Sequence, residues 1–338
     1  MNIKTGIMDL QLKERWQISR GGLDTKQCVL VTLEKDGITG YGEASPNTRY
    51  GESVELTLDR IHSVADIYRT HHPFHYREIK AELDEAITDQ SCAKAALDMA
   101  LLDWFGKKWD LPVYRIWGLN PVAAPLSTFT IGIASPEEIR RKVRDAADFP
   151  LLKIKVGVDN DDEIIGAVRA ETDKPLRVDA NEGWTDRQLA LEKIQWLATQ
   201  NVEFVEQPMP AGSYDDVAWL RERSPLPLVA DEDVKTAKDI PRLKGVYDGI
   251  NIKLMKSGGL LEGLQMVHVA RAMGLKIMLG CMIESALAIS AAAQLAPLVD
   301  WADLDSNLLL SHDPFNGIRA NEGKLRLTNQ PGLGSNPR

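Results

Sequence analysis

Between residues 128 and 306 the chain carries eight short apolar runs, each but the last followed by a stretch with apolar residues three and four apart. The runs are TFTIGI (128–133), LLKIKV (151–156), PLRVDA (175–180), VEFVEQ (202–207), LPLVAD (226–231), GINIKL (249–254), KIMLGC (276–281) and WADLDS (301–306). Short apolar runs read as buried strands, and the longer spacing between them as helices. Strands joined by helices lie parallel, and eight of them predict a closed βα barrel. A doubly wound sheet would need a glycine-rich phosphate turn after its first strand. The nearest stretch, KSGGLLEG, follows the sixth run and does not match. No clear helix follows Ser306, so the expected barrel is (β/α)7β. Ser135, with Glu138 three residues on, predicts the start of its first helix.

The segment before the barrel has a different pattern. IKTGIMDLQL and KQCVLVTLEKDGITGYGEASP read as antiparallel strands with a hairpin turn at Asp36-Gly37. Helical patterns follow in ESVELTLDRIHSVADIYRTH and DQSCAKAALDMALLDWFGKKW. The expected organisation is an α+β capping domain over 1–120 and the barrel over 121–310. A Pro- and Gly-rich tail over 311–338 is expected to return to the cap.

Composition sets the class of partner. Hydrophobic residues make up 44%, charged residues 26%, and the net charge is −9. That balance suits a globular enzyme and argues against nucleic acid or an anionic membrane as the main partner. Cys28, Cys92 and Cys281 have no paired spacing and read as reduced thiols of a cytoplasmic protein. MNIKTGIMDLQLKERW has no apolar core of a signal peptide, and SALAISAAAQLAPLV is too short to span a membrane. The expected partner is a small-molecule substrate, and a homo-oligomer is compatible with the sequence.

Lys155, Asp179, Glu206, Asp231 and Lys256 recur at gaps of 24, 27, 25 and 25 residues, one strand–helix unit each. The period puts each at the C-terminal end of a strand, where barrel enzymes carry their active sites. Three carboxylates from consecutive strands repel one another unless a cation lies between them. An oxygen donor set without Cys or His favours a hard ion, and Mg²⁺ is the default. An alternative for any single acid is a helix N-cap. Lys153 and Lys155 share one face of the second strand, opposite the sixth. Lysines on two sides of a metal-held substrate suit removal and return of a proton next to a carboxylate, through an enediolate.

KIKVG, VDANEGW, VEQP, ADE and NIKLMKSGG together resemble the enolase superfamily, muconate-lactonising subgroup, over nearly the whole chain. The resemblance implies Mg²⁺ on Asp179, Glu206 and Asp231, acid/base roles for Lys155 and Lys256, and an enediolate-holding role for Lys153. Asp233 stands where a small residue is more usual, which implies a slightly altered site. The subgroup includes cycloisomerases, o-succinylbenzoate synthases, N-acylamino-acid racemases and dipeptide epimerases. Asp303 and Asp305 are expected on one face of the eighth strand and resemble the paired aspartates with which dipeptide epimerases hold a substrate ammonium. The other reading of that pair is a turn after the last strand. Arg20, in the glycine-containing loop ISRGGLDTKQ, is expected either to close on an acidic substrate side chain or to be solvated. Thr130 and Cys281 are further pocket candidates, with core packing as the alternative. HHPFH reads as a loop, and DNDDE (159–163) as acids at a helix N-terminus.

Overall fold

The computed structural model describes residues 1–338. Strands β1 (Asn2–Ile18), β2 (Gly21–Lys35) and β3 (Ile38–Ala44) form an antiparallel sheet. Asp36 and Gly37 both take positive φ, 54° and 75°, the turn that fits the twist of a two-residue hairpin. The helix Ser91–Trp109, buried over most of its length, packs across β3. Contact there is close: a Cβ on Gly42 would stand 1.9 Å from the Ala96 carbonyl oxygen. Only glycine lets the helix backbone come so near.

The eight barrel strands are β4 (Phe129–Ile131), β5 (Leu152–Lys155), β6 (Leu176–Asp179), β7 (Val202–Glu206), β8 (Leu228–Ala230), β9 (Gly249–Ile252), β10 (Lys276–Leu279) and β11 (Trp301–Ala302). They are parallel and neighbours in chain order. A parallel bridge from Ser127 to Ala302, with Thr128 N–H donating to Ala302 O at 3.2 Å, joins the first strand to the last and closes the barrel. The helix Pro136–Asp145 starts with the capping box of Ser135 and Glu138. Acids 161–163 fill the first turn of the helix Asp161–Arg169.

Phe204, Val229 and Met278 pack with Trp301 inside the barrel, so its floor is filled and its chemistry is confined to the mouth. After β11 there is only a short 3-10 turn, Ser306–Leu308, and then the tail. The tail meets the cap helix, where Leu333 N–H donates to Asp103 at 2.9 Å, and Gly332 O accepts from Val113 N–H at 3.0 Å. No helix is long and apolar enough to cross a membrane.

The eighth strand ends at Ala302, so Asp303 and Asp305 lie beyond it, Asp305 at the start of the 3-10 turn. HHPFH is not irregular: Pro73–His75 forms a 3-10 turn. ISRGG is not an open loop, because β1 and β2 stay paired to Ile18 and Gly21 and leave Ser19 and Arg20 as a two-residue tip.

Candidate active site

Parallel register builds the acidic cluster. Lys155 pairs with Asp179 and Asp179 with Glu206, so three polar side chains from the last residues of β5, β6 and β7 stand in a row. Asp231 follows directly after β8. The turns beyond β5 and β6 nest together, since a Cβ on Gly157, at φ 93°, would lie 2.1 Å from Ala180 O. Ligand oxygens of Asp179, Glu206 and Asp231 all fall within 4.8 Å of one another, and all three residues are buried.

The donor set fits a hard divalent ion: three buried carboxylates and no thiolate or imidazole. Glu206 Oε2 accepts no hydrogen bond; Lys153 Nζ is 2.7 Å away but off hydrogen-bonding geometry. Burial and the charge of Asp179 raise the Glu206 pKa. Burial also opposes the charge on Asp179 and Asp231, but lysines outweigh it and both are lowered.

Lysines surround the acids. Lys153, 1% exposed, lies 2.7 Å from Glu206, 2.7 Å from Asp303 and 3.2 Å from Asp179. Burial alone would discharge it, yet Asp303, Glu206 and Asp179 together raise its pKa well above the ordinary value. Lys155 Nζ donates to Asp179 at 2.6 Å. Across the barrel, Lys253 Nζ donates to Asp231 Oδ2 at 2.6 Å. Its pKa is also raised, as Asp231 and Glu206 override burial.

Lys256 is not where the sequence period placed it. Strand β9 ends at Ile252, Lys253 is the next residue, and Lys256 sits one turn farther on in the short helix Leu254–Ser257. Its Nζ is wrapped by Asp231 O at 2.5 Å, Asn251 O at 3.2 Å and the Asp231 carboxylate. Burial, first, lowers its pKa. A cavity of about 790 Å³ opens beside the cluster, lined by Lys153, Lys155 and Lys253 but not by Lys256. The even spacing was misleading because loop lengths differ; counting from strand ends would have selected Lys253.

Asp303 and Asp305 both line this cavity and are both buried. Asp303 accepts from Lys153 at 2.7 Å, from Thr128 Oγ1 at 2.5 Å and from Thr130 Oγ1 at 2.9 Å. Thr130 N–H donates to Asp305 at 2.5 Å, so Thr130 holds both carboxylates. Burial would raise Asp303, but Lys153 lowers it. Asp305 is pushed up to about 7 by burial and by the Asp303 charge. Cys281 lines the cavity, donates its thiol to Asp303 O at 3.3 Å, and is kept a neutral thiol by burial.

Arg20 is not free, although 32% of its side chain stays exposed to solvent. Its guanidinium donates to Glu232 at 2.7 Å, to Glu182 at 3.0 Å and to Asn181 O at 2.8 Å. Arg49 clamps Glu182 through two bonds, at 2.7 and 2.9 Å. Sequence reasoning missed Arg49, Glu182 and Glu232, since scattered charges give no signal before the fold brings them together. Asp233 is not one of the clustered carboxylates and accepts from Tyr247 OH at 2.7 Å, Gln207 at 3.0 Å and Gly212 N–H at 2.8 Å.

Comparisons with known proteins agree with this architecture. Residues 3–118 match the mandelate racemase / muconate lactonizing enzyme N-terminal domain, and residues 136–338 the enolase C-terminal domain-like family. The chain is 44% identical over 327 residues to the L-Ala-D/L-Glu epimerase of Bacteroides thetaiotaomicron, covering 96% of this chain and 85% of that protein. It is 42% identical to the L-Ala-D/L-amino acid epimerase of Pedosphaera parvula, over 98% of this chain and 97% of that one. The crystal structure of dipeptide epimerase from Enterococcus faecalis V583, complexed with Mg and L-Leu-L-Tyr, superposes with a TM-score of 0.93. It is 32% identical, and 98% of each chain is covered. With both halves of the fold matched and its relatives named as epimerases, the chain belongs to the mandelate racemase/muconate lactonizing branch of the enolase superfamily and is an isomerase.

Proposed function

We propose that this chain is a Mg²⁺-dependent epimerase of dipeptides, L-Ala-D/L-Glu or related L-Ala-L-Xaa, inverting the α-carbon of the C-terminal residue. The observation that carries the reading is a single cavity lined by Lys155, by Lys253 across the barrel, and by the carboxylates of Asp303 and Asp305. Asp179, Glu206 and Asp231 would hold the ion. When bound, it would supply the positive charge that makes a proton next to a carboxylate removable.

The chain's own groups do the rest. Lys155 and Lys253 rise from the second and sixth strands of a closed eight-strand barrel, which face each other. One takes the α-proton and the other delivers one to the opposite face, which is inversion. Lys253 replaces Lys256 in this role, because Lys256 lacks access to the cavity and its donors are occupied. Lys153, held by three carboxylates, is the fixed cation for the charge that develops on the substrate. A substrate ammonium beside Asp305 would relieve its repulsion with Asp303, so this end of the cavity favours a free α-amine. N-acylated amino acids and succinylbenzoate precursors lack that amine, which sets those activities of the subgroup behind the dipeptide reading. Three free cysteines fit a reducing, cytoplasmic setting.

The test is chiral analysis of L-Ala-L-Glu after incubation with enzyme and Mg²⁺. L-Ala-D-Glu should accumulate toward equilibrium, and chelation of the metal should stop it. Inertness toward every L-Ala-Xaa tried would remove the proposal.

A further inference from the structure

The three clustered carboxylates are not held alike. Asp179 accepts from Lys155 Nζ at 2.6 Å and from Asn181 N–H at 2.9 Å. Asp231 accepts from Lys253 Nζ at 2.6 Å and also from Lys256 Nζ. The Glu206 carboxylate accepts a single hydrogen bond, from Asn251 Nδ2 to Oε1 at 2.7 Å, and its Oε2 accepts none. An ionised carboxylate only accepts, so the amide nitrogen of Asn251, not its oxygen, faces Glu206.

Asn251 comes from β9, two residues before Lys253 and on the same inward face. It is fully buried, and its side chain reaches past β8 to Glu206 at the end of β7. Its backbone oxygen accepts from Lys256 Nζ at 3.2 Å. Room for the amide comes from the neighbouring strand: a Cβ on Gly280, just beyond β10, would stand 2.7 Å from Asn251 Oδ1 and 2.8 Å from Nδ2. Gly280 does not take positive φ, so glycine is needed there for space alone. Packing does not explain the amide. Asn251 Oδ1 is buried without a partner. An unpaired carbonyl in a dry interior costs stability, and a leucine of similar size would avoid that cost. What the amide gains is the bond to Glu206.

Resting on the Mg²⁺ reading above, we infer that Asn251 is a positioning residue that turns Glu206 so that Oε2 alone is offered to the ion, and that it thereby favours Mg²⁺ over Ca²⁺. Mg²⁺ demands a near-regular octahedron, whereas Ca²⁺ accepts more oxygens in looser geometry, two from one carboxylate included. With Oε1 tied to β9, Glu206 does not bring both oxygens onto one ion. Released from the amide, it can, and the site loses its preference for the smaller cation.

The experiment is calorimetric titration of the substrate-free enzyme with Mg²⁺ and, separately, with Ca²⁺. In Asn251→Ala the Kd for Mg²⁺ should rise about ten- to a hundredfold, the usual worth of a partner behind a metal ligand, and the Kd for Ca²⁺ should rise less. Gly280→Ala should lower the same Mg²⁺/Ca²⁺ preference by displacing the amide. It should add little in the Asn251→Ala background, where that contact is gone. If Asn251→Ala does not fold, Gly280→Ala alone reads the ratio. An unchanged Mg²⁺ Kd in Asn251→Ala overturns the inference, and so does an equal loss of both ions, which general loosening of the site would give. A Gly280→Ala loss that adds in full to that of Asn251→Ala overturns it too. All three leave the metal and epimerase readings standing. Wild-type enzyme that binds neither ion would instead remove the metal reading, and this inference with it.

Discussion

Lys253 and Lys256 are three residues apart, and only the first reaches the cavity. They should therefore fail differently when shortened. Lys253→Met removes a proton carrier and should cost at least about a hundredfold in kcat at any Mg²⁺ concentration. Lys256→Met removes a bond to Asp231 and should weaken metal binding, so that raising Mg²⁺ recovers much of the rate. Steady-state rates across a Mg²⁺ titration separate the two, and a reversed pattern would restore Lys256 as the acid/base group. The sequence made the other site residues readable for a physical reason. Lys155, Asp179 and Glu206 are the last residues of their strands, and a two-residue period fixes which way a strand-end side chain points. Lys253 was lost to an apparent 25-residue regularity because strand-to-strand spacing includes loops of unequal length. Arg49 and Glu182 could not be found in that way, since they are brought together only by packing the cap on the barrel.

At the scale of elements, the β1–β2 hairpin is the part most changed from expectation. Its tip is fastened to the turns after β6 and β8 through Arg20, Glu182 and Glu232. The Glu232 side chain is buried, so loss of its partner should be felt more than loss of a surface ion pair. Arg20→Met should lower stability by about 1–3 kcal/mol. It should also speed amide hydrogen exchange around Ser19–Leu23, with little change in the helix Ser91–Trp109. Uniform exchange changes, or none, would mean that the hairpin is held by its strand pairing alone. The alternation of strands and helices was legible throughout the barrel, because buried parallel strands are apolar on both faces and the helices between them are not. Strand ends were less so. WADLDS alternates like a strand, but the ladder stops at Ala302 and Asp305 opens a 3-10 turn.

The whole molecule depends on how the cap sits on the barrel, and one junction carries a buried acid. Asp98, in the cap helix, accepts from Leu260 N–H at 2.5 Å and Leu261 N–H at 3.3 Å at the start of the barrel helix Leu260–Ala272. Burial pushes it up to about 7, against an ordinary value near 3.8. The folded state thus holds this proton more tightly than the unfolded chain. The stability gained is complete below about pH 4 and is lost as pH rises through 7. Relative to wild type, Asp98→Asn should gain in Tm as pH rises from 4 to 8; a Tm difference independent of pH would contradict this. The central claim for the molecule as a whole is proton exchange between two facing lysines, and isotope tracing reads it directly. Wild-type enzyme with Mg²⁺ in D₂O should place deuterium at the α-carbon of the C-terminal residue of L-Ala-L-Glu and of L-Ala-D-Glu, and nowhere else. Lys155→Ala and Lys253→Ala should each abolish conversion between the two. Inversion without deuterium uptake, or uptake undiminished in both variants, would contradict the account.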